Sequence, residues 1–190
     1  MLTAARTYTM LGNETLWDAA QTAHAILSEA ALPHGIIGGV AVCLHGYQRN
    51  TVDIDLLVRP ADASAARLAL EMAGWSWDNE QKEMRSPAGV AVQFLYAGER
   101  AGTGSEVRLP DPGDATAILE LESLPVLTLA RLIESKLACG QGNLRRTHRD
   151  FADVVELIAV HQLSRSYARH LHKSLRDTFR ELVVHARGGK

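Results

Sequence analysis

The run TVDIDLLV, residues 51–58, constrains this chain more than any other stretch. Val52, Ile54, Leu56 and Val58 alternate with Asp53 and Asp55, the period of a β-strand with one apolar face. That face needs a cover, and the flanking sequence supplies it. From Thr15 to Ala31, Leu16, Ala20, Ala23, Leu27 and Ala30 recur at helical spacing, ended by Pro33 and Gly35. A short strand at Gly35–Ile37 runs into Gly38-Gly39, and VAVCLH then reads as a short buried helix stopped by Gly46. Pro60 and Asp62 open a helix to about Gly74, with Asp62 as its N-cap. WSWD, KEMRS and VAVQFLYA read as three further strands, the last two joined by the Pro87–Gly89 turn. Glycine and proline make 98–114 a loop. Three helices follow, Val126–Cys139, Thr147–Leu163 and Ser166–Ala186. The order predicts an α+β (α/β-like) fold: a small mixed sheet within roughly the first 100 residues, flanked by helices, then a helical C-terminal part. A core over 1–125 and a helical subdomain over 126–190, packed on that core, are the expected units.

Composition sets outer limits. A chain of 190 residues fits one domain with a substantial core. At 46% hydrophobic and 22% charged it has the make-up of an ordinary soluble protein. No apolar run approaches the ~18 residues needed to span a bilayer, and MLTAARTYTMLGNE lacks a signal peptide's apolar core. Cys43 and Cys139 form neither a disulfide framework nor a metal quartet, consistent with small buried residues in a reducing cytoplasm. The net charge of −2 argues against binding a polyanion with the whole surface.

Asp53 and Asp55 lie at i and i+2 of a strand and point the same way. Left alone, two such carboxylates repel and one takes up a proton. A divalent cation relieves that repulsion, and Mg²⁺ suits the site because it accepts one or two carboxylates and leaves other positions to water and phosphates. Gly-Gly after a strand lets backbone N–H groups come close to an anion at the start of the next helix. A D-x-D pair alone also fits a solvated strand edge, and Gly-Gly alone a plain turn. Together at this spacing they are equipment for moving a phosphoryl or nucleotidyl group.

Gly38-Gly39, Ala41, His45-Gly46, Arg49, Thr51 and Asp53-Ile54-Asp55 resemble the signature of the nucleotidyltransferase fold, the DNA polymerase beta superfamily. Within it they look like the small bacterial group that includes abortive-infection-type nucleotidyltransferase toxins. The segment LTLARLIESKLACGQGNLRRTHRDFADVVELI resembles that group's later helices, and the likeness spans roughly residues 35–163. The resemblance implies a Mg²⁺- or Mn²⁺-dependent transfer of a nucleoside monophosphate from an NTP to a hydroxyl on RNA, protein or a small molecule. It implies that Asp53 and Asp55 hold metal and carry catalysis, and that Gly38, Gly39, Arg49, Thr51 and Lys136 bind the nucleotide. A toxin-like role would bring an antitoxin-like protein partner.

One position departs from the pattern. Members of this fold carry a third carboxylate on a later strand, and the corresponding residue here is Gln93. The site would then hold one metal with a nucleotide, recruit Asp150, Asp153 or Glu99, or serve as a catalytically impaired nucleotide-binding or regulatory module. Asp150 and Asp153, at i and i+3, also fit a structural role. In the last helix Arg165, Arg169, Lys173, Arg176 and Arg180 fall on one side, opposite Tyr167, Leu171, Leu175, Phe179 and Leu182. Such a stripe is either a solvated face or a track for an RNA acceptor. Trp75 and Trp77 fit core or interface better than base platforms.

Overall fold

A computed structural model describes residues 3–187. Its centre is a seven-stranded sheet: β1 (His34–Ile37), β2 (Asp53–Val58), β3 (Ser76–Asp78), β4 (Glu83–Arg85), β5 (Ala91–Tyr96), β6 (Ile118–Leu121) and β7 (Leu124–Leu127), in the order β3-β4-β5-β2-β1-β7-β6. The sheet is mixed, β2 lying antiparallel to β1 and parallel to β5. Seven α-helices accompany it among the described residues: α1 (Ala4–Met10), α2 (Glu14–Glu29), α3 (Gly38–Leu44), α4 (Ala63–Met72), α5 (Leu129–Gly142), α6 (Leu144–Val160) and α7 (Arg176–Arg187). Helix α2 packs on β2, β7 and α4, while α5 packs on α3, β7 and α6.

The central place of β2 explains its composition. Ile54, Leu56, Leu57 and Val58 are all buried, so the strand is covered on both faces from Leu56 onward. Only its first three residues leave one face open, and that face carries Asp53 and Asp55. Val52, expected on the apolar face, stands outside the strand and is exposed. Asp62 precedes α4 but makes no side-chain cap; a 3-10 turn over Pro60–Asp62 starts the helix instead.

Three expectations need correction. The sheet extends well past residue 100, because β6 and β7 form a hairpin whose inner strand pairs in parallel with β1. Its turn residues, Glu122 and Ser123, take φ of 48° and 62°, a conformation normally signalled by Asn-Gly or Asp-Gly, so the sequence carries no hairpin mark there. In consequence the helix expected from Val126 begins at Leu129, and Val126 and Leu127 belong to β7. Likewise the helix expected over Ser166–Ala186 is broken: 3-10 turns span Arg165–His170 and Lys173–Leu175, Leu171 is extended, and α7 starts at Arg176. The apolar positions Leu171, Leu175 and Phe179 are buried as their pattern requires. The cations, however, share no single helical stripe. Arg176 donates to the carbonyls of Leu171 and Arg169, and Arg180 pairs with Asp177.

Candidate functional site

The open end of β2 faces a cleft whose enclosed volume is about 130 Å³. Gly38, Asp55 and Gln93 line one part of it, and Lys136, Arg146 and Asp150 another. Segment 98–114 closes a further side with Glu99, Arg100, Ala101 and Leu109. That segment is a loop stapled by the Ala101 N–H to Val107 and the Leu109 N–H to Glu99, and Cys139 of α5 donates its thiol to the Ala101 carbonyl.

Gly38 opens α3 with φ of +71°, and a Cβ there would lie 1.8 Å from Asp55 Oδ2. A side chain at this position would therefore meet both backbone strain and a collision. A Cβ on Gly39 would lie 2.5 Å from Thr51 Oγ1. The glycine pair lets the chain run against the two acids. Thr51, buried, donates its hydroxyl to Asp53 Oδ1 at 2.9 Å and fixes that carboxylate. Burial first, and the Asp53 charge second, push the Asp55 carboxyl up to about 6, against the pull of Lys136, Arg146 and Arg149. The repulsion between the two acids is thus incompletely offset by the chain's own cations.

Behind the cleft lies a buried ion cluster. Lys136, only 4% exposed, reaches Asp150 Oδ1 at 3.0 Å and Asp153 Oδ2 at 2.8 Å. Arg49 Nε lies 2.7 Å from Asp153, and Arg146 Nε 3.2 Å from Asp150. Lys136 therefore faces the cleft with two of its three ammonium protons committed. Asp150 and Asp153 are neutralised by these cations, so neither presents a free carboxylate to the cleft. Arg49 is bound to Asp153 and the Asn50 carbonyl and does not line the cavity.

Of the residues singled out in the sequence, Gly38, Asp55, Gln93, Lys136, Asp150 and Glu99 come together on the cleft wall. Asp53 shares the Asp55 face of β2 but lies just outside the cavity lining. Gly39, Arg49, Thr51 and Asp153 form a supporting layer, and the C-terminal cations contribute nothing to the cavity. Three residues escaped the sequence reading, among them Arg100 of the 98–114 loop. Arg146 enters the cleft from the first turn of α6, where only proximity to other cations marked it. Glu83 lies opposite Gln93 across the β4–β5 hairpin, and extrapolating the pairs Met84–Val92 and Arg85–Ala91 of the expected hairpin would have found it.

The donor set fits one hard divalent cation: two carboxylates on one strand face, one of them held protonated to unusually high pH by its burial and then by its neighbour. Among the described residues no cluster of three or more acid, histidine or cysteine ligands accompanies them.

No protein-family model matches the chain, and no curated protein sequence does. Solved structures do. The crystal structure of ANT(2'')-Ia in complex with adenylyl-2''-tobramycin is similar with a TM-score of 0.53 at 16% identity, over 84% of this chain and 93% of that one. The crystal structure of JHP933 from Helicobacter pylori is similar with a TM-score of 0.52 at 17% identity, over 93% of this chain and 90% of that one. Each likeness takes in more than four-fifths of both chains, and the chain has the nucleotidyltransferase fold.

Proposed function

We propose that the protein transfers a nucleoside monophosphate from a nucleoside triphosphate to an acceptor hydroxyl. The observation that carries this reading is the Asp53–Asp55 pair on the open face of β2, with Asp55 pressed against a left-handed Gly38 in a cleft that also contains Lys136, Arg100 and Arg146. Asp53 and Asp55 would hold Mg²⁺ or Mn²⁺, which, when bound, supplies charge neutralisation for the phosphates. Thr51 orients Asp53 for that task. Lys136, through its remaining proton, and Arg146 offer positive charge to the phosphates. The acceptor oxygen bonds to the α-phosphorus as the bond to pyrophosphate breaks, and the hydroxyl proton leaves with no third acid on β5 to take it. The products are the nucleotidylated acceptor, pyrophosphate and a proton.

The ANT(2'')-Ia complex contains an adenylylated aminoglycoside, so a small polyhydroxylated amine is one acceptor to test. RNA and protein acceptors, and an antitoxin-like partner, rest on the resemblance to toxin-like members. Arg100, Arg145, Arg146 and Arg149, all exposed, disfavour a polycationic acceptor on charge grounds. Incubating the protein with each labelled triphosphate, Mg²⁺ or Mn²⁺, and in turn an aminoglycoside, total RNA and total protein tests the reading. Label in one acceptor, lost with Asp55→Asn, is the expected result. Triphosphate binding without label in any acceptor favours a nucleotide-binding module, the second reading, which Gln93 supports.

A further inference from the structure

The charge missing from β5 has a counterpart one strand away. Glu83 of β4 is 5% exposed, a buried carboxylate whose Oε1 meets Arg85 at 2.5 Å. Its Oε2 accepts a hydrogen bond from Gln93 Nε2 at 3.4 Å. In the sheet Gln93 pairs directly with Asp55, and the β4–β5 register, with Met84 opposite Val92, sets Glu83 opposite Gln93. Glu83, Gln93 and Asp55 therefore form one row across three strands, on the face that opens to the cleft.

Resting on the transferase reading above, we propose that Glu83 is a positioning residue that orients the Gln93 amide for the reaction. A primary amide is planar, with its donor and acceptor on opposite sides. With N–H₂ directed to Glu83, the Gln93 carbonyl oxygen turns toward Asp55 and the cleft. There it can accept a hydrogen bond from the attacking hydroxyl. Turned over, the amide would set its carbonyl against the Glu83 carboxylate and give its N–H to Asp55, competing with the cation for that acid. A negative charge one strand removed thus selects the rotamer that leaves Asp55 free. Arg85 and the Gln93 amide together supply the partners without which burying the Glu83 carboxylate would be costly.

The pair can be exchanged, and that exchange is the test. Gln93→Glu alone sets two carboxylates face to face, and the Tm should fall by about 2–4 °C. Adding Glu83→Gln restores a donor opposite the new acid and should recover that loss. Glu83→Gln alone, which keeps the volume, should lower kcat for nucleotide transfer about 10–100-fold, with KM for the triphosphate unchanged. Independent Tm effects in the two single variants, with no recovery in the double, would overturn the pairing whatever the activity. Recovery of Tm with unchanged kcat in Glu83→Gln would leave a structural pair and overturn the positioning role. Failure of the wild type to bind triphosphate or transfer label removes the transferase reading and the positioning role with it, a result that the Tm cycle distinguishes from absence of the pair.

Discussion

At the scale of single residues, the site combines a position that admits only glycine with an acid that costs stability. Gly38 occupies a left-handed conformation with no room for a side chain, and Asp55 is charged at neutral pH in a place that resists the charge. Gly38→Ala adds backbone strain of about 1–3 kcal/mol and drives the Asp55 carboxylate out of place, so both thermal stability and triphosphate binding should fall. The effect of Asp55→Asn has the opposite sign on stability. Because the folded protein holds the Asp55 proton up to about 6, against 3.8 ordinarily, stability of the metal-free protein is lost as pH rises between those values. Asp55→Asn should therefore stabilise the metal-free protein by about 1–3 kcal/mol at pH 7–8, an advantage that vanishes below about pH 4 in urea titrations. An acid kept where it destabilises points to a ligand that repays it. The D-x-D pair and the glycines were legible in sequence because strand alternation gives both aspartates one direction.

Among the elements, the junction between the β1–β2 region and the α5–α6 pair is held by the buried Lys136, Asp150 and Asp153, joined by Arg49 and by the exposed Arg146. A methionine at 136 would leave two buried carboxylates short of a partner. Lys136→Met should therefore cost about 3–5 kcal/mol in denaturant unfolding, well beyond the loss of a surface charge. The apolar periodicity of α5 and α6 could be read directly, but the ion cluster could not. It joins residues 49, 136 and 153, and long-range pairing of this kind leaves no periodic trace. The β6–β7 hairpin was hidden for a local reason, a turn built from Glu122 and Ser123, and the break at Leu171 was hidden because Leu171, Leu175 and Phe179 keep helical spacing across it. The 83–93 pairing, by contrast, lay within reach once the Pro87–Gly89 turn was recognised.

For the whole molecule, two buried histidines contribute to the acid response. Burial lowers both His34, which also faces His24, and His45, which also faces His161, below the ordinary 6.5. Each then binds its proton less readily folded than unfolded, so stability is lost as pH falls through 6.5. Asp55 works in the opposite direction over pH 4–6, and the Asp55→Asn variant should lose stability between pH 7 and 5 more steeply than the wild type. Fold class was visible from the order of elements; the extent of the sheet was not, since its last two strands follow a long loop. Nucleotide transfer requires that the open end of β2 accept a nucleotide with its metal. Isothermal titration of the protein with each nucleoside triphosphate in millimolar Mg²⁺, repeated with the Asp53→Asn/Asp55→Asn double variant, measures that directly. Metal-dependent binding by the wild type and none by the double variant is the predicted result; no binding of any triphosphate by the wild type, or equal binding by the folded double variant, would contradict it.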